Sequence, residues 1–206
     1  MSETTNELPF FESIRFYNGN FELLELHEQR IHETQKRHFG WSSGLKLSTY
    51  LHSFDLPPEG LFKCRLHYGL EPDVPVFIPY SIKPIRSLKL VEVEKFEYAS
   101  KYTDRSSLDE LYEQRGPCDD VLIVQNNKIT DTPYCNIVFG SKKGWFTPTT
   151  ALLKGVRRQY LLNKGTIKPL LISLPQLKNF THFRLINAMI PWEDAVLVPI
   201  HHIKQS

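Results

Sequence analysis

A chain of 206 residues, 41% hydrophobic and 23% charged, has the composition of a globular protein with enough apolar residues to fill a core. Its 25 basic and 23 acidic residues leave a formal charge of +2, so no basic field argues for nucleic acid. No apolar run approaches the roughly 20 residues of a spanning helix, which argues against a membrane.

Phe10 to Tyr17 reads as a strand, and Asn18-Gly19-Asn20 as a hairpin-type turn. A helix is expected from about Glu25 to His38, closed by Gly40. Within it, Leu26-His27-Glu28-Gln29-Arg30-Ile31 sets Arg30 within one turn of apolar neighbours. A shorter helix over Leu45 to Phe54 is stopped by Pro57-Pro58. Leu61 to Tyr68 alternates as a strand, with Lys63, Arg65 and His67 on one face and Phe62, Cys64, Leu66 and Tyr68 on the other. Val76 to Ile82 and Leu88 to Phe96 are further strands, set off by Pro79 and Pro84.

A boundary near Tyr98-Ala99-Ser100 divides the chain into an N-terminal α+β lobe, residues 1–97, and a C-terminal α+β lobe, residues 98–206. In the second, Ser106 or Ser107 caps a helix carrying Leu108, Leu111 and Tyr112 and ending at Gly116. Val121 to Val124, the turn Asn126-Asn127 and Ile129-Thr130 form a hairpin, and Ile137 to Phe139 with Trp145-Phe146 form another strand pair. Gly155 opens a helix that runs to Lys164 and is closed by Gly165. Leu170 to Ile172, Phe183 to Ile186 and Ala195 to Val198 complete the lobe.

Three cysteines, Cys64, Cys118 and Cys135, lack the spacing of a disulfide framework or a zinc site. Cys64 and Cys135 read as small buried apolar residues. His201-His202 has no acidic or cysteine partner at a recognisable spacing, so no metal is expected and both are read as solvent-exposed. The polar, acidic start Met1–Glu7 is unlike a signal peptide, which makes a reducing cytoplasm the default location.

The chemistry concentrates in three places. Lys101 stands at a strand edge, Asp131 opens Asp131-Thr132-Pro133-Tyr134-Cys135-Asn136, and Leu153-Lys154-Gly155-Val156-Arg157 begins a helix. An amine, a carboxylate and a glycine-led helix start are what pyridoxal phosphate needs. The amine forms a Schiff base with the aldehyde, the carboxylate pairs with the pyridinium nitrogen, and the helix start holds the phosphate.

Four segments make the chain resemble the class IV aminotransferases, the fold-type IV pyridoxal-phosphate enzymes. They are Phe11-Glu12-Ser13-Ile14-Arg15, Leu26 to Ile31, Lys101-Tyr102-Thr103-Asp104-Arg105, and Ile129 through Arg157. The resemblance implies a two-lobed α+β fold with the cofactor between the lobes, a homodimer and an amine or amino-acid-like substrate. The strand pair that usually precedes the Phe11-Glu12 segment is missing, so the chain reads as N-terminally shortened.

By the same resemblance Lys101 is the catalytic lysine, Asp131 the pyridine partner in place of the usual glutamate, and Arg30 a phosphate-binding arginine. Asn136 belongs to the Asp131 motif, Gly155, Val156 and Arg157 form the phosphate loop, and Asn187-Ala188 resembles a second phosphate-binding turn. At Gly155–Arg157 the backbone role transfers better than any side-chain role, because relatives often carry Thr where Arg157 stands. Lys63 and Arg65 are candidates for a substrate carboxylate, although solvated charges on a half-buried strand are the simpler reading. The Lys101-x-x-x-Arg105 segment looks most like the 4-amino-4-deoxychorismate lyase branch, which serves folate synthesis. Amino-acid aminotransferases of the branched-chain or D-amino acid type begin with the same chemistry and stay open as an alternative, as does a non-catalytic relative that binds a cofactor or partner.

Overall fold

The computed structural model describes residues 8–205; the acidic start, Met1–Glu7, lies outside the described residues. The chain divides into two compact units, one running up to Ser81 and including Ser100–Asp104, the other formed by Ile82–Ala99 and the chain from Arg105 onward. The sequence-based lobes, 1–97 and 98–206, follow the order of the chain, whereas these units follow the pairing of strands.

The first unit is built on an antiparallel sheet of β1 (Phe10–Tyr17), β2 (Asn20–Phe21), β3 (Leu61–Tyr68) and β4 (Val76–Pro79), in the order β2-β1-β3-β4. The turn after β1 needs φ > 0 twice, and Asn18 (φ 45°) and Gly19 (φ 82°) are residues that tolerate it. Period-two alternation sends Phe10, Ile14, Cys64, Leu66 and Tyr68 to one face, where Ile31 of helix α1 (Leu24–Phe39) and Leu47 and Leu51 of helix α2 (Leu47–Leu51) close the core. Helix α1 ends as its sequence demands: Gly40 takes φ 81° and its N–H bonds the Lys36 carbonyl. Helix α2 is shorter than the expected span of 45–54, and β4 stops at Pro79 rather than Ile82.

The second unit holds two sheets. In one, β5 (Leu88–Val93) lies parallel to β6 (Asp120–Gln125), and β6 turns back through Asn126 (φ 49°) and Asn127 (φ 59°) into β7 (Lys128–Ile129). Asp120–Val124 is buried without a break, the mark of a strand covered on both faces. The other sheet contains β8 (Asn136–Ser141), β9 (Gly144–Pro148), β10 (Lys168–Leu170), β11 (His182–Ile186) and β12 (Val198–Pro199), in the order β10-β9-β8-β11-β12. A last short strand, β13 (Ile203–Lys204), joins the first sheet beside β5. Helix α3 (Ser106–Tyr112) starts with Ser106 already helical, so Arg105, not a serine, holds the cap position. Helix α4 (Val156–Asn163) is capped by Gly155 as expected. Leu122, Val124, Ile137, Phe139, Phe183 and Leu185 centre the core that both sheets share. His201 and His202 form a one-turn 3-10 helix; His201 is exposed, and His202 is half-buried with its Nδ1 3.0 Å from the Arg86 carbonyl.

Candidate active site

Each unit assembles its own set of candidate residues. In the first, Ser100–Asp104 lies along the start of β1: the Phe11 N–H donates to the Lys101 carbonyl (3.0 Å), the Thr103 N–H to the Pro9 carbonyl (2.8 Å), and the ring of His38 meets the Ser100 hydroxyl at 2.9 Å. The backbone of Lys101 is therefore fixed on an already formed strand, while its half-buried side chain places Nζ 4.5 Å from the centre of the Phe11 ring.

Arg65 meets the same ring, its Cζ 4.1 Å from the centre, and its Nε donates to His67 Nε2 (3.1 Å). That bond makes Nε2 an acceptor, so the His67 proton resides on Nδ1, which lies 3.3 Å from the Thr103 hydroxyl; the hydroxyl donates to the Leu8 carbonyl (2.6 Å). Lys63 shares this face, since Arg15, Ser13 and Phe11 pair in register with Lys63, Arg65 and His67. Burial and then the nearby Arg65 push its amine below the usual lysine range. Lys63 and Arg65 are thus half-buried rather than freely solvated.

The other face of β1 carries a feature that sequence reasoning missed. Glu12 alternates with Phe10 and Ile14, a position facing the core, yet it is a carboxylate with no exposure at all. Oε1 accepts from Arg30 Nε (2.8 Å), Oε2 accepts from Arg30 Nη2, and His27 Nδ1 lies 2.6 Å from Oε2. Burial alone would raise the Glu12 carboxyl, but Arg30 and His27 hold it down to about 2. Burial outweighs Glu12 at His27 and keeps that imidazole below its usual range, hence neutral with its proton on Nδ1. Arg30 therefore pairs with a sealed strand residue and not with Glu28, which bonds the Lys46 amine and the Leu47 N–H. A charge at a core-facing strand position, with His and Arg three apart on the next helix, was the signal available in the sequence.

In the second unit the candidate residues form one connected set. Asp131, 3% exposed, follows β7; its Oδ1 accepts from Asn136 Nδ2 (2.9 Å) and its Oδ2 from the Leu153 N–H (3.2 Å). Asn136 also donates to the Leu153 carbonyl (2.9 Å), so one side chain ties the carboxylate to the segment leading into α4. The Thr132 hydroxyl accepts from the Cys135 N–H (3.1 Å), folding residues 131–135 into a self-closed loop. Burial pushes the Asp131 carboxyl up to about 6, against Asn136, the Leu153 N–H and the buried Arg158, which oppose the shift.

Gly155 is needed for space: its φ of −65° suits any residue, but a Cβ there would overlap Asn136 Oδ1. Gly155→Ala should displace Asn136 and cost about 2 kcal/mol by overpacking. Thermal unfolding of the cofactor-free protein should then fall by roughly 4–8 °C, and an unchanged midpoint would refute the tight approach. Beyond Gly155 the first turn of α4 has no side-chain cap. Arg157 is buried and donates from Nη2 to the Ala188 carbonyl (3.3 Å), and Asn187 donates to the Tyr134 carbonyl and to Cys135 Sγ (both 3.3 Å). The Asn187-Ala188 turn is thereby fastened both to α4 and to the Asp131 loop. An uncapped, glycine-led helix start beside a buried carboxylate with few counter-charges fits a bound group carrying both an anion and a cationic ring nitrogen.

Comparison with known proteins identifies the family. The family model for amino-transferase class IV matches residues 102–203. An uncharacterized protein of Haemophilus influenzae is 34% identical over 184 residues, covering 88% of this chain and 97% of that protein. A crystal structure from Haemophilus somnus, described as a proposed 4-amino-4-deoxychorismate lyase, superposes with a TM-score of 0.83 at 29% identity, covering 92% of this chain and 98% of that one. A proposed amino-acid aminotransferase from Mesorhizobium loti has the same fold, with a TM-score of 0.76 at 17% identity over 96% of this chain and 99% of that one. The chain belongs to the class IV aminotransferase family, whose members are pyridoxal-phosphate-dependent enzymes with the fold-type IV architecture.

Proposed function

We propose that the chain is a pyridoxal-phosphate-dependent 4-amino-4-deoxychorismate lyase, releasing pyruvate and leaving 4-aminobenzoate for folate synthesis. The observation that carries this reading is the likeness to the Haemophilus somnus protein over 92% of the chain at 29% identity. The segment Lys101 to Arg105 supports it. When bound, the cofactor supplies an electron sink for the charge left at the amine-bearing carbon of the substrate.

The protein supplies the rest. Lys101 Nζ is the attachment point and then the base that takes the proton from the amine-bearing carbon. Asp131, held by Asn136 and the Leu153 N–H, is the counter-charge for the ring nitrogen. Arg30, the backbone N–H groups of Gly155, Val156 and Arg157, and the turn at Asn187-Ala188 hold the phosphate. Lys63 and Arg65, gathered near Lys101 on one face of the first unit, take a substrate carboxylate. A cytoplasmic homodimer belongs to the same reading: family active sites are completed by a neighbouring subunit, and no helix among the described residues is long and apolar enough to cross a membrane.

The test is to supply aminodeoxychorismate to protein loaded with pyridoxal phosphate and follow both products. Equal amounts of pyruvate and 4-aminobenzoate are expected. Sustained amino transfer from an amino acid to a 2-keto acid, without pyruvate release from aminodeoxychorismate, would establish the aminotransferase alternative instead. No turnover of either kind would leave a non-catalytic relative.

A further inference from the structure

We propose that Glu12 and His27 are positioning residues that lock Arg30 in the orientation from which it grips the cofactor phosphate. The proposal rests on Arg30 being a phosphate-binding arginine, and it assigns a task to two residues that the reaction itself does not use.

The geometry is that of a lock made from two elements. His27 and Arg30 lie three apart on α1, so both reach the same side of the helix. One carboxylate on β1 meets them both: Glu12 takes two N–H groups along one edge of the guanidinium and lies 2.6 Å from His27 Nδ1. Glu12 and His27 are fully buried, whereas the Arg30 side chain is 12% exposed. The guanidinium thus stands between a sealed carboxylate and the surface of the unit. An arginine stem is flexible, and freezing it on anion binding normally costs rotamer entropy. Here a two-point pair fixes the plane before any anion arrives.

Three details favour orientation over simple charge balance. Glu28, the acid nearest Arg30 in sequence, lies two residues away on the helix, faces elsewhere and is committed to Lys46 and the Leu47 N–H. Glu12 occupies a core-facing position that an apolar side chain would fill at less cost. His27 adds no charge: it is neutral, its Nδ1 proton points at Glu12, and its buried Nε2 has no hydrogen-bond partner among the described residues. A residue that donates one hydrogen bond to the carboxylate and leaves its other nitrogen unsatisfied restricts where that carboxylate can sit.

The experiment compares binding of pyridoxal phosphate with binding of pyridoxal, which lacks the phosphate, in the cofactor-free full chain. Wild type, Glu12→Gln and Glu12→Asp are titrated with each ligand and followed by absorbance. Wild type should prefer the phosphorylated form. In both variants the Kd for pyridoxal phosphate should rise roughly 10- to 100-fold, by analogy with the loss seen when the hydrogen-bonded supports of metal-ligating side chains are removed. The Kd for pyridoxal should stay within about threefold.

Glu12→Asp keeps the charge but is a methylene short, so it carries the comparison even if Glu12→Gln fails to fold. Equal losses for the two ligands would mean a merely structural role and overturn the proposal. Tighter binding of pyridoxal phosphate to Glu12→Gln would mean that Glu12 only neutralises Arg30, and would overturn it too. A wild type without preference for the phosphate would overturn the phosphate role of Arg30 itself, a failure distinct from either.

Discussion

Lys101→Ala should abolish turnover, by at least about 10⁴-fold, because one side chain serves as both attachment point and proton acceptor. The fold should survive. What holds residues 100–104 against β1 is backbone: the Phe11 N–H to the Lys101 carbonyl, the Thr103 N–H to the Pro9 carbonyl, and the pairing of Phe10 with Tyr102. None of these needs the lysine side chain. The contact of Nζ with the Phe11 ring is lost, at about 0.5–1 kcal/mol for a partly exposed cation. Borohydride treatment of the loaded protein, followed by peptide mapping, provides the direct check. Wild type should carry the label on the peptide containing Lys101, and the variant should carry none at stoichiometric level. A variant that is labelled as fully as wild type, or that turns over within tenfold of it, would remove Lys101 from the chemistry.

The sequence is most legible where the physics is local. Phe10–Tyr17 and Leu61–Tyr68 are strands at the residues expected: the Asn18-Gly19 turn ends the first, and burial alternates from Lys63 to Tyr68 in the second. The ends of α1 and α4 fall close to Gly40 and Gly155: a left-handed φ of 81° decides the first, and at the second the close approach of Asn136 leaves no room for a Cβ. What pairs with what is less legible. Leu88–Val93 reads as a strand, but its parallel partner Asp120–Gln125 is reached only after α3, and the choice depends on contacts distant in sequence. Arg30 offers the same lesson at the site. Its charge is visible, yet its partner Glu12 comes from another element. Arg158 follows Arg157 as one of two adjacent basic residues, yet it is buried with Nε and Nη2 donating to Thr147 and the Pro148 carbonyl. Periodicity reports which face a residue lies on. It does not report which charge from elsewhere will meet it there.

Asp131→Asn should separate function from stability, since the two place opposite demands on that position. In the cofactor-free protein, burial raises the Asp131 carboxyl from its ordinary 3.8 to about 6. Between those values the folded state holds a proton that the unfolded state has released. Stability is therefore fully present below pH 4 and is lost as pH rises through about 6, a change of about 3 kcal/mol from this group. Asp120, buried at the start of β6 with Oδ2 lacking a hydrogen-bond partner among the described residues, is raised to about 6 as well and adds a slope of the same sign.

An asparagine at 131 cannot ionise, so its part of the slope disappears while the Asp120 part remains. The amide also has only one oxygen for two incoming donors, Asn136 Nδ2 and the Leu153 N–H, and leaving one unmet costs about 1–3 kcal/mol at every pH. The melting curves should consequently converge or cross: the variant melts below wild type at pH 4–5 and close to or above it at pH 8. Turnover should meanwhile fall roughly 10²–10³-fold, the scale on which removal of one preorganised electrostatic group acts. Melting temperatures measured from pH 4 to 8 on cofactor-free protein, alongside turnover of the loaded enzyme, test both halves. Parallel melting curves would mean that Asp131 does not titrate as its burial implies, and turnover within a few-fold of wild type would mean that its charge is not what the chemistry uses.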